Sequence, residues 1–135
     1  MNTPRPSRRK FLATTGIAAG MTIIKPELVS GSAVNSKIKL GLIGCGGRGT
    51  WIAKLFKENG NYEITAAADY FQDKVDSFGE QLGVPEKKRF TGLSSYKKLI
   101  ESGVDAIAIE SPPYFHPEQA AAGVAAGKHV YVAKP

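Results

Sequence analysis

The chain lacks the residues that would build disulfides, and it lacks an apolar run long enough to cross a membrane. Its 135 residues include a single cysteine, Cys45, which excludes an intramolecular disulfide and a metal site made of a cysteine cluster; we expect no metal site. The uncharged stretch from Ala13 to Ile24 has 12 residues, whereas a transmembrane helix needs about 20. Hydrophobic residues make up 42% and charged residues 22%, as in a soluble globular protein with one domain.

Positive charge is concentrated at the N-terminus. Of the formal net charge of +6, residues 1–33 carry +4, from five basic residues and one acidic residue. The other 13 basic and 11 acidic residues leave +2 on residues 34–135. Because this larger part of the chain is nearly neutral, we expect no nucleic-acid partner.

The first 33 residues have the order of charges and apolar residues that is typical of a signal peptide. The segment Ser7 to Leu12, which reads Ser-Arg-Arg-Lys-Phe-Leu, resembles the twin-arginine export motif, and the short apolar stretch follows it. We expect residues 1–33 to be recognised by the twin-arginine export machinery and cut after Ala33, with Ser30 and Ser32 as a competing site. The mature protein would then be exported to the periplasm. The alternatives are a short amphipathic helix or a disordered basic tail.

A glycine-rich turn follows the first predicted strand, Ile38 to Ile43. Gly44, Gly46 and Gly49 spell G-x-G-x-x-G, and Thr50 to Lys57 is predicted to continue as a helix. In this setting the first glycine makes a tight turn, the second lets the backbone approach a pyrophosphate, and the third permits close packing of helix and strand. The phosphate would bind at the helix N-terminus. The alternative is an ordinary glycine-rich turn. The predicted inward face of the helix holds Trp51, Ile52, Leu55 and Phe56.

An acidic residue ends the second predicted strand, Tyr62 to Ala68. Asp69 follows Gly49 by 20 positions, the distance at which a carboxylate accepts hydrogen bonds from an adenosine ribose. Because this carboxylate would repel a 2′-phosphate, we expect NAD rather than NADP as the cofactor. Asp69 can also cap the following helix, and the two roles are compatible.

Strands and helices alternate through the rest of the chain. This alternation predicts an α/β fold, a Rossmann-type doubly wound parallel sheet with strand order 3-2-1-4-5. The further predicted elements are a helix over Phe71 to Leu82, a strand over Arg89 to Thr91, a helix over Tyr96 to Glu101 capped by Ser94 or Ser95, a strand over Val104 to Ile109, a helix from Pro117 to Ala126 and a strand over His129 to Ala133.

Several motifs together resemble the N-terminal domain of the Gfo/Idh/MocA oxidoreductase family. Beside the glycine-rich turn they are Ser111 to His116 (Ser-Pro-Pro-Tyr-Phe-His), Ala126 to Val130 (Ala-Gly-Lys-His-Val) and Lys134-Pro135. The resemblance implies a nicotinamide dinucleotide on a Rossmann domain and a sugar or polyol substrate; some relatives instead hydrolyse glycosides with a transient oxidation by NAD. It implies cofactor contacts from Gly44, Gly46, Gly47, Arg48, Gly49, Asp69, Ser111, Pro112, His116 and Lys134.

The family usually has Glu-Lys-Pro after the fifth strand, and this chain has Ala133-Lys134-Pro135. By that resemblance Lys134 polarises or helps to deprotonate a substrate hydroxyl. We hypothesise that Glu110, at the end of the neighbouring strand, supplies the carboxylate that Ala133 lacks; the alternative is that Glu110 holds its own loop through backbone N–H groups. For His116 we favour a structural role, either capping the helix or bonding the loop beside the cofactor, over a catalytic one.

In this family, a further strand and a separate α/β domain for the substrate follow the part that is matched here. The resemblance therefore implies that residues 34–135 are a truncated dinucleotide-binding domain, with a sheet incomplete at its C-terminal edge and the substrate domain absent. Homo-oligomerisation would be possible through that domain. Three functions stay open: an exported NAD-dependent oxidoreductase acting on a sugar or polyol, a redox-neutral glycoside hydrolase that uses NAD, and an inactive nucleotide-binding fragment.

Overall fold

The computed structural model describes residues 36–135, and the predicted signal peptide lies outside this range. Five strands form one parallel sheet in the order β3-β2-β1-β4-β5, which confirms the predicted Rossmann-type fold. The elements are β1 (Ile38–Ile43), α1 (Gly47–Asn59), β2 (Tyr62–Asp69), α2 (Gln72–Leu82), β3 (Arg89–Thr91), α3 (Ser95–Glu101), β4 (Ala106–Ile109), α4 (His116–Ala125) and β5 (His129–Val132), with short 3-10 helices at Glu86–Lys88 and Pro113–Phe115.

The core has two halves, one on each face of the sheet. Alternate residues of a strand point to opposite faces, so Leu42 of β1 packs in the half that includes Phe78 of α2, and Ile43 packs in the half that includes Leu99 of α3. All four residues of β4 are buried, as expected of a central parallel strand with helices on both sides. Chain order reverses between β1 and β4, and such a switch point is where ligands bind in this class of fold.

The inward face predicted for α1 is wrong in part. Ile52 is buried and Phe56 is partly buried, but Trp51 is 55% exposed and Leu55 44% exposed. The helix rests on the sheet through the stripe centred on Ile52, Ala53 and Phe56, which leaves Trp51 and Leu55 on its flank. The ring of Phe56 makes edge-to-face contacts with Tyr62 and Tyr131.

Several element boundaries differ from those predicted. The first helix begins at Gly47 rather than Thr50, so the last glycine of the turn lies inside it. Val104 is buried but precedes β4, which begins at Ala106. Ser94 holds the N-cap position of α3 without a side-chain capping bond. Within residues 36–135, no helix has both the length and the apolar character needed to cross a membrane.

Candidate functional site

The three glycines of the turn lie in different surroundings. Gly44 has a φ of +97°, and a Cβ there would lie 2.5 Å from the carbonyl carbon of Glu110. At Gly49 a Cβ would lie 1.9 Å from the carbonyl oxygen of Gly44. At Gly46 no heavy atom of residues 36–135 lies within 4 Å of the position a Cβ would take. The first and third glycines thus permit a left-handed turn and close helix packing, while the second leaves open space in front of the backbone.

The N-terminus of α1 is suited to an anion. Its N-cap is Gly46, which has no side chain with which to cap the helix, and no acidic residue lies in the first turn. The first N–H groups of a helix have no partner within the helix and carry a partial positive charge, so an anion is favoured at this position. Arg48 lies in the same turn, and its side chain is 61% exposed.

Asp69, at the end of β2, is tied to the glycine-rich turn. Its Oδ2 accepts a hydrogen bond from the Cys45 backbone N–H at 2.7 Å, and its Oδ1 accepts one from the Phe71 N–H at 3.0 Å. The N-cap of α2 is Phe71 rather than Asp69, so the alternative role of Asp69 as the cap of this helix is not found. The carboxylate instead joins the ends of β1 and β2 at the edge of the cleft.

The Cys45 side chain has a packing role in the turn. It is 4% exposed, and its Sγ donates to the carbonyl oxygen of Ala68 at 3.6 Å. Burial, together with the negative charge of Asp69, raises the pKa of the Cys45 thiol well above its ordinary value. A thiol held in the neutral form is a poor nucleophile.

Glu110 follows β4 and forms an ion pair that the sequence did not indicate. Its Oε2 accepts a hydrogen bond from Nε of Arg48 at 2.9 Å. Ala133, next to Lys134, donates its N–H to the Ile109 carbonyl oxygen, so Glu110 and Lys134 do emerge from neighbouring strands. Within residues 36–135, however, no hydrogen bond or ion pair joins these two side chains, and none joins the Glu110 carboxylate to the N–H groups of its own loop. Lys134 is exposed. Catalytic roles for Glu110 and Lys134 stay predictions.

The loop after β4 is held by a buried histidine. His116 is 6% exposed, and its Nε2 lies 2.7 Å from the carbonyl oxygen of Ser111. The Ser111 hydroxyl donates to Oε1 of Gln119, which is also buried, at 2.6 Å. This is the loop-bonding arrangement that we favoured for His116, with Ser111 and Pro112 presented to the cleft.

These elements enclose a cleft of about 580 Å³ at the carboxyl edge of the sheet. Its lining includes five of the predicted cofactor residues and also Glu110; Gly47, Arg48, Gly49, His116 and Lys134 lie outside it. The cleft is lined by Ile43, Gly44, Gly46, Asp69, Tyr70, Phe71, Lys74, Gly92, Leu93, Ser95, Glu110, Ser111, Pro112, Phe115 and Gln119.

Sequence reasoning missed the apolar wall of this cleft. Tyr70 and Phe71 follow β2, Leu93 follows β3, and Phe115 lies in the loop after β4. The shared signal is their position after the carboxyl ends of parallel strands, where ligands bind in open α/β sheets. Apolar side chains there provide a surface for a flat ring, while the glycine-rich turn and Asp69 provide the polar contacts.

The sequence of this chain is similar to those of several curated proteins. A glycosyl hydrolase family 109 protein from Shewanella pealeana is 30% identical over an alignment 152 positions long, which covers 96% of this chain and 33% of the relative. The chain therefore spans about a third of the length of the curated relatives that it matches.

Several solved structures share the fold of the described part, and two of them contain a bound nicotinamide dinucleotide. Scyllo-inositol dehydrogenase from Lactobacillus casei, with bound NAD(H) and scyllo-inositol, superposes with a TM-score of 0.62 at 26% identity, over 72% of this chain and 28% of that one. A mutant 3-ketoreductase from Actinomadura kijaniata, in complex with TDP-benzene and NADP, has a TM-score of 0.65 at 28% identity, over 74% and 31% of the two chains.

The family model "Oxidoreductase family, NAD-binding Rossmann fold" matches residues 38–135. The chain belongs to the Gfo/Idh/MocA oxidoreductase family, and these residues form its nicotinamide-dinucleotide-binding domain.

Proposed function

We propose that this chain supplies the cofactor-binding part of an NAD-dependent oxidoreductase that acts on a hydroxyl of a sugar or polyol. One observation carries the proposal, the arrangement at the start of α1. Its first turn has no acidic residue, and its N-cap Gly46 faces open space in the described part of the chain. The cleft that starts there is bounded by Asp69. A dinucleotide has the matching groups, a diphosphate for the helix N-terminus and ribose hydroxyls for the carboxylate. The solved inositol dehydrogenase holds NAD(H) with a polyol.

We infer NAD rather than NADP from the charge at the end of β2. Asp69 keeps its carboxylate beside the turn through two backbone N–H groups, and a negative charge at this position disfavours a 2′-phosphate. Among the described residues, Lys74 is the one cationic side chain in the lining of the cleft. Its Nζ lies 3.6 Å from Oδ2 of Asp73, an exposed carboxylate that offsets the charge of Lys74. Both NAD(H) and NADP occur in the similar structures.

The described residues fit a nicotinamide dinucleotide. The N–H groups at the start of α1 and Arg48 would hold the diphosphate, and Asp69 a ribose. When bound, the nicotinamide ring accepts or returns a hydride. Lys134, exposed at the end of β5, would lie beside the reacting hydroxyl and stabilise the negative charge that its oxygen gains on losing a proton. In this proposal Glu110, which follows the neighbouring strand β4, supplies the carboxylate that Ala133 lacks. Unchanged turnover and pH dependence in Glu110→Gln would exclude that role.

Glycoside hydrolysis is the second candidate, favoured by the family 109 relative. The two activities differ in their redox balance. An oxidoreductase converts one NAD+ to NADH for each hydroxyl oxidised, whereas a hydrolase with a transient oxidation regains its NAD+ in every turnover. Retention of the cofactor would suit an exported protein, because little free dinucleotide is present outside the cytoplasm.

The experiment combines both readouts on the full chain. The protein is incubated with NAD+ and either scyllo-inositol or a panel of p-nitrophenyl glycosides, and absorbance is followed at 340 nm for NADH and at 405 nm for nitrophenol. NADH formation with polyols supports the first proposal, and nitrophenol release without net NADH supports the second. Binding of NAD+ without either product would show that this chain holds the cofactor but catalyses neither reaction by itself.

We also propose export by the twin-arginine pathway. The support is the Arg8-Arg9 pair and the short apolar stretch that follows it, both in the sequence alone. Replacing both arginines by lysine should keep the protein in the cytoplasm of an expressing bacterium, whereas the unaltered chain should appear in the periplasmic fraction. Equal periplasmic amounts of the two proteins would contradict the proposal.

A further inference from the structure

The Glu110 side chain is buried, and Lys134, which follows the neighbouring strand β5, does not explain this burial. Its side chain is 0% exposed, and within residues 36–135 its Oε1 is a buried oxygen without a hydrogen-bond partner. An ionised carboxylate taken out of water needs a compensating charge. The charge that it meets is the guanidinium of Arg48, 62 positions away in the sequence.

The ion pair uses only one of the three nitrogen atoms of the Arg48 guanidinium. Glu110 accepts only from Nε of Arg48; within the described residues, Nη1 and Nη2 make no hydrogen bond. The Arg48 side chain is 61% exposed, and it belongs to the first turn of α1, which lacks acidic residues. A guanidinium anchored through one edge presents its remaining N–H groups in a fixed direction, which suits the recognition of a phosphate.

The backbone also fixes the position of Glu110 relative to the turn that leads to Arg48. Glu110 donates its N–H to the Ile43 carbonyl oxygen at 2.8 Å, so the start of its loop is registered to the end of β1. Gly44 packs so closely on the Glu110 backbone that a Cβ would lie 2.5 Å from it. The carboxylate is therefore anchored to the same turn whose helix carries Arg48.

We propose that Glu110 is a positioning residue for the cofactor diphosphate: by holding Nε of Arg48, it keeps the terminal nitrogens of that arginine available at the N-terminus of α1. This inference rests on the proposed function, since the anion is taken to be the diphosphate of the dinucleotide. It assigns Glu110 an effect on diphosphate binding, exerted through Arg48, that a partnership with Lys134 would not produce.

The test is a double-mutant cycle on the full chain. Binding of ADP, which has the diphosphate, and of adenosine, which lacks it, is measured by calorimetry for the wild type, Glu110→Gln, Arg48→Ala and the double variant. Glu80→Gln and Lys98→Ala, on exposed positions of α2 and α3 outside the cleft lining, are the charge-matched controls. Thermal unfolding of each protein verifies that it is folded.

The inference predicts that Arg48→Ala weakens ADP binding about tenfold, the lower part of the range for a hydrogen bond to a charged group. Glu110→Gln should weaken it several-fold, roughly threefold to tenfold, and should add nothing once Arg48 is absent. Adenosine binding and both controls should be unchanged. Should Glu110→Gln prove unfolded, Glu110→Asp, which keeps the charge but shortens its reach, replaces it and should also weaken ADP binding.

The inference would be overturned by unchanged ADP binding in Glu110→Gln, by an equal loss for ADP and adenosine, or by a loss that persists in the absence of Arg48. Tighter ADP binding would also contradict it, since Glu110 would then compete with the phosphate for the arginine. If the folded wild type binds neither ADP nor NAD+, the proposed function itself fails, which is a distinguishable outcome.

Discussion

The closest backbone approach in the glycine-rich turn gives the sharpest prediction. In Gly49→Ala the new Cβ would lie 1.9 Å from the carbonyl oxygen of Gly44, whereas real Cβ atoms essentially never approach another heavy atom within 3.0 Å. The start of α1 would have to move by more than 1 Å, the difference between these distances. Because the obstacle is backbone rather than a flexible side chain, the neighbouring groups cannot simply rotate away.

We expect Gly49→Ala to lower the free energy of unfolding by about 3 kcal/mol, the upper end of the usual range for overpacked sites. For a domain of this size that corresponds to a fall in Tm of roughly 12–24 °C. Thermal unfolding followed by circular dichroism measures the change. NAD+ binding should also be lost at temperatures where the variant is still folded, because the N–H groups of α1 no longer face the cleft.

Gly47→Ala is the matched control. A Cβ at Gly47 would meet no heavy atom within 4 Å in the described part of the chain, and this residue begins α1. Alanine has a helix propensity about 1 kcal/mol better than glycine, so the Tm of Gly47→Ala should be unchanged or higher. A Gly49→Ala protein as stable as the wild type, or two variants equally destabilised, would refute the account of the turn.

The remaining predictions concern three polar groups. Asp69→Ala should weaken NAD+ binding about tenfold or more, since a hydrogen bond to a charged group contributes about 1.5–3 kcal/mol, and should weaken NADP+ binding less; an unchanged ratio of the two dissociation constants, measured by calorimetry, would count against the ribose role. Cys45 should react slowly with a thiol reagent at pH 8 in the folded protein and quickly in urea, because burial raises the pKa of its thiol; equal rates would contradict this burial. The hydrogen bond to Glu118 raises the pKa of Tyr96 to about 12 from about 10, so its contribution to stability is complete below pH 10 and is lost as the pH rises to 12. Tyr96→Phe should remove this part of the pH dependence of unfolding and cost about 1 kcal/mol at neutral pH.

The parts of the fold that were predicted correctly rest on short-range patterns. The apolar run of β1, the spaced glycines and the following helix are contiguous in sequence, and the distance from Gly49 to Asp69 is set by one helix and one strand. Strand order followed from the alternation of strands and helices, because few topologies satisfy that pattern. Proline in the first turn of α4 also indicated correctly where that helix begins.

The errors and omissions depend on contacts between distant residues. The ion pair between Glu110 and Arg48 was not predicted, because no local pattern connects positions 62 residues apart. The exposure of Trp51 and Leu55 depends on how α1 lies on the sheet, which periodicity alone does not determine. Leu93 reaches the cleft only because the end of β3 is brought beside β2.

We propose that the start of α1 binds the diphosphate of a nicotinamide dinucleotide. A titration of the 15N-labelled chain with NAD+, followed by NMR through the backbone amides, tests this binding at the residues concerned. The largest shifts should occur at Gly46, Gly47 and Arg48, with further shifts at Asp69, and the shifts should saturate with a single dissociation constant. A folded chain whose amides at these positions do not respond to millimolar NAD+ or NADP+, or whose shifts cluster elsewhere, would contradict it.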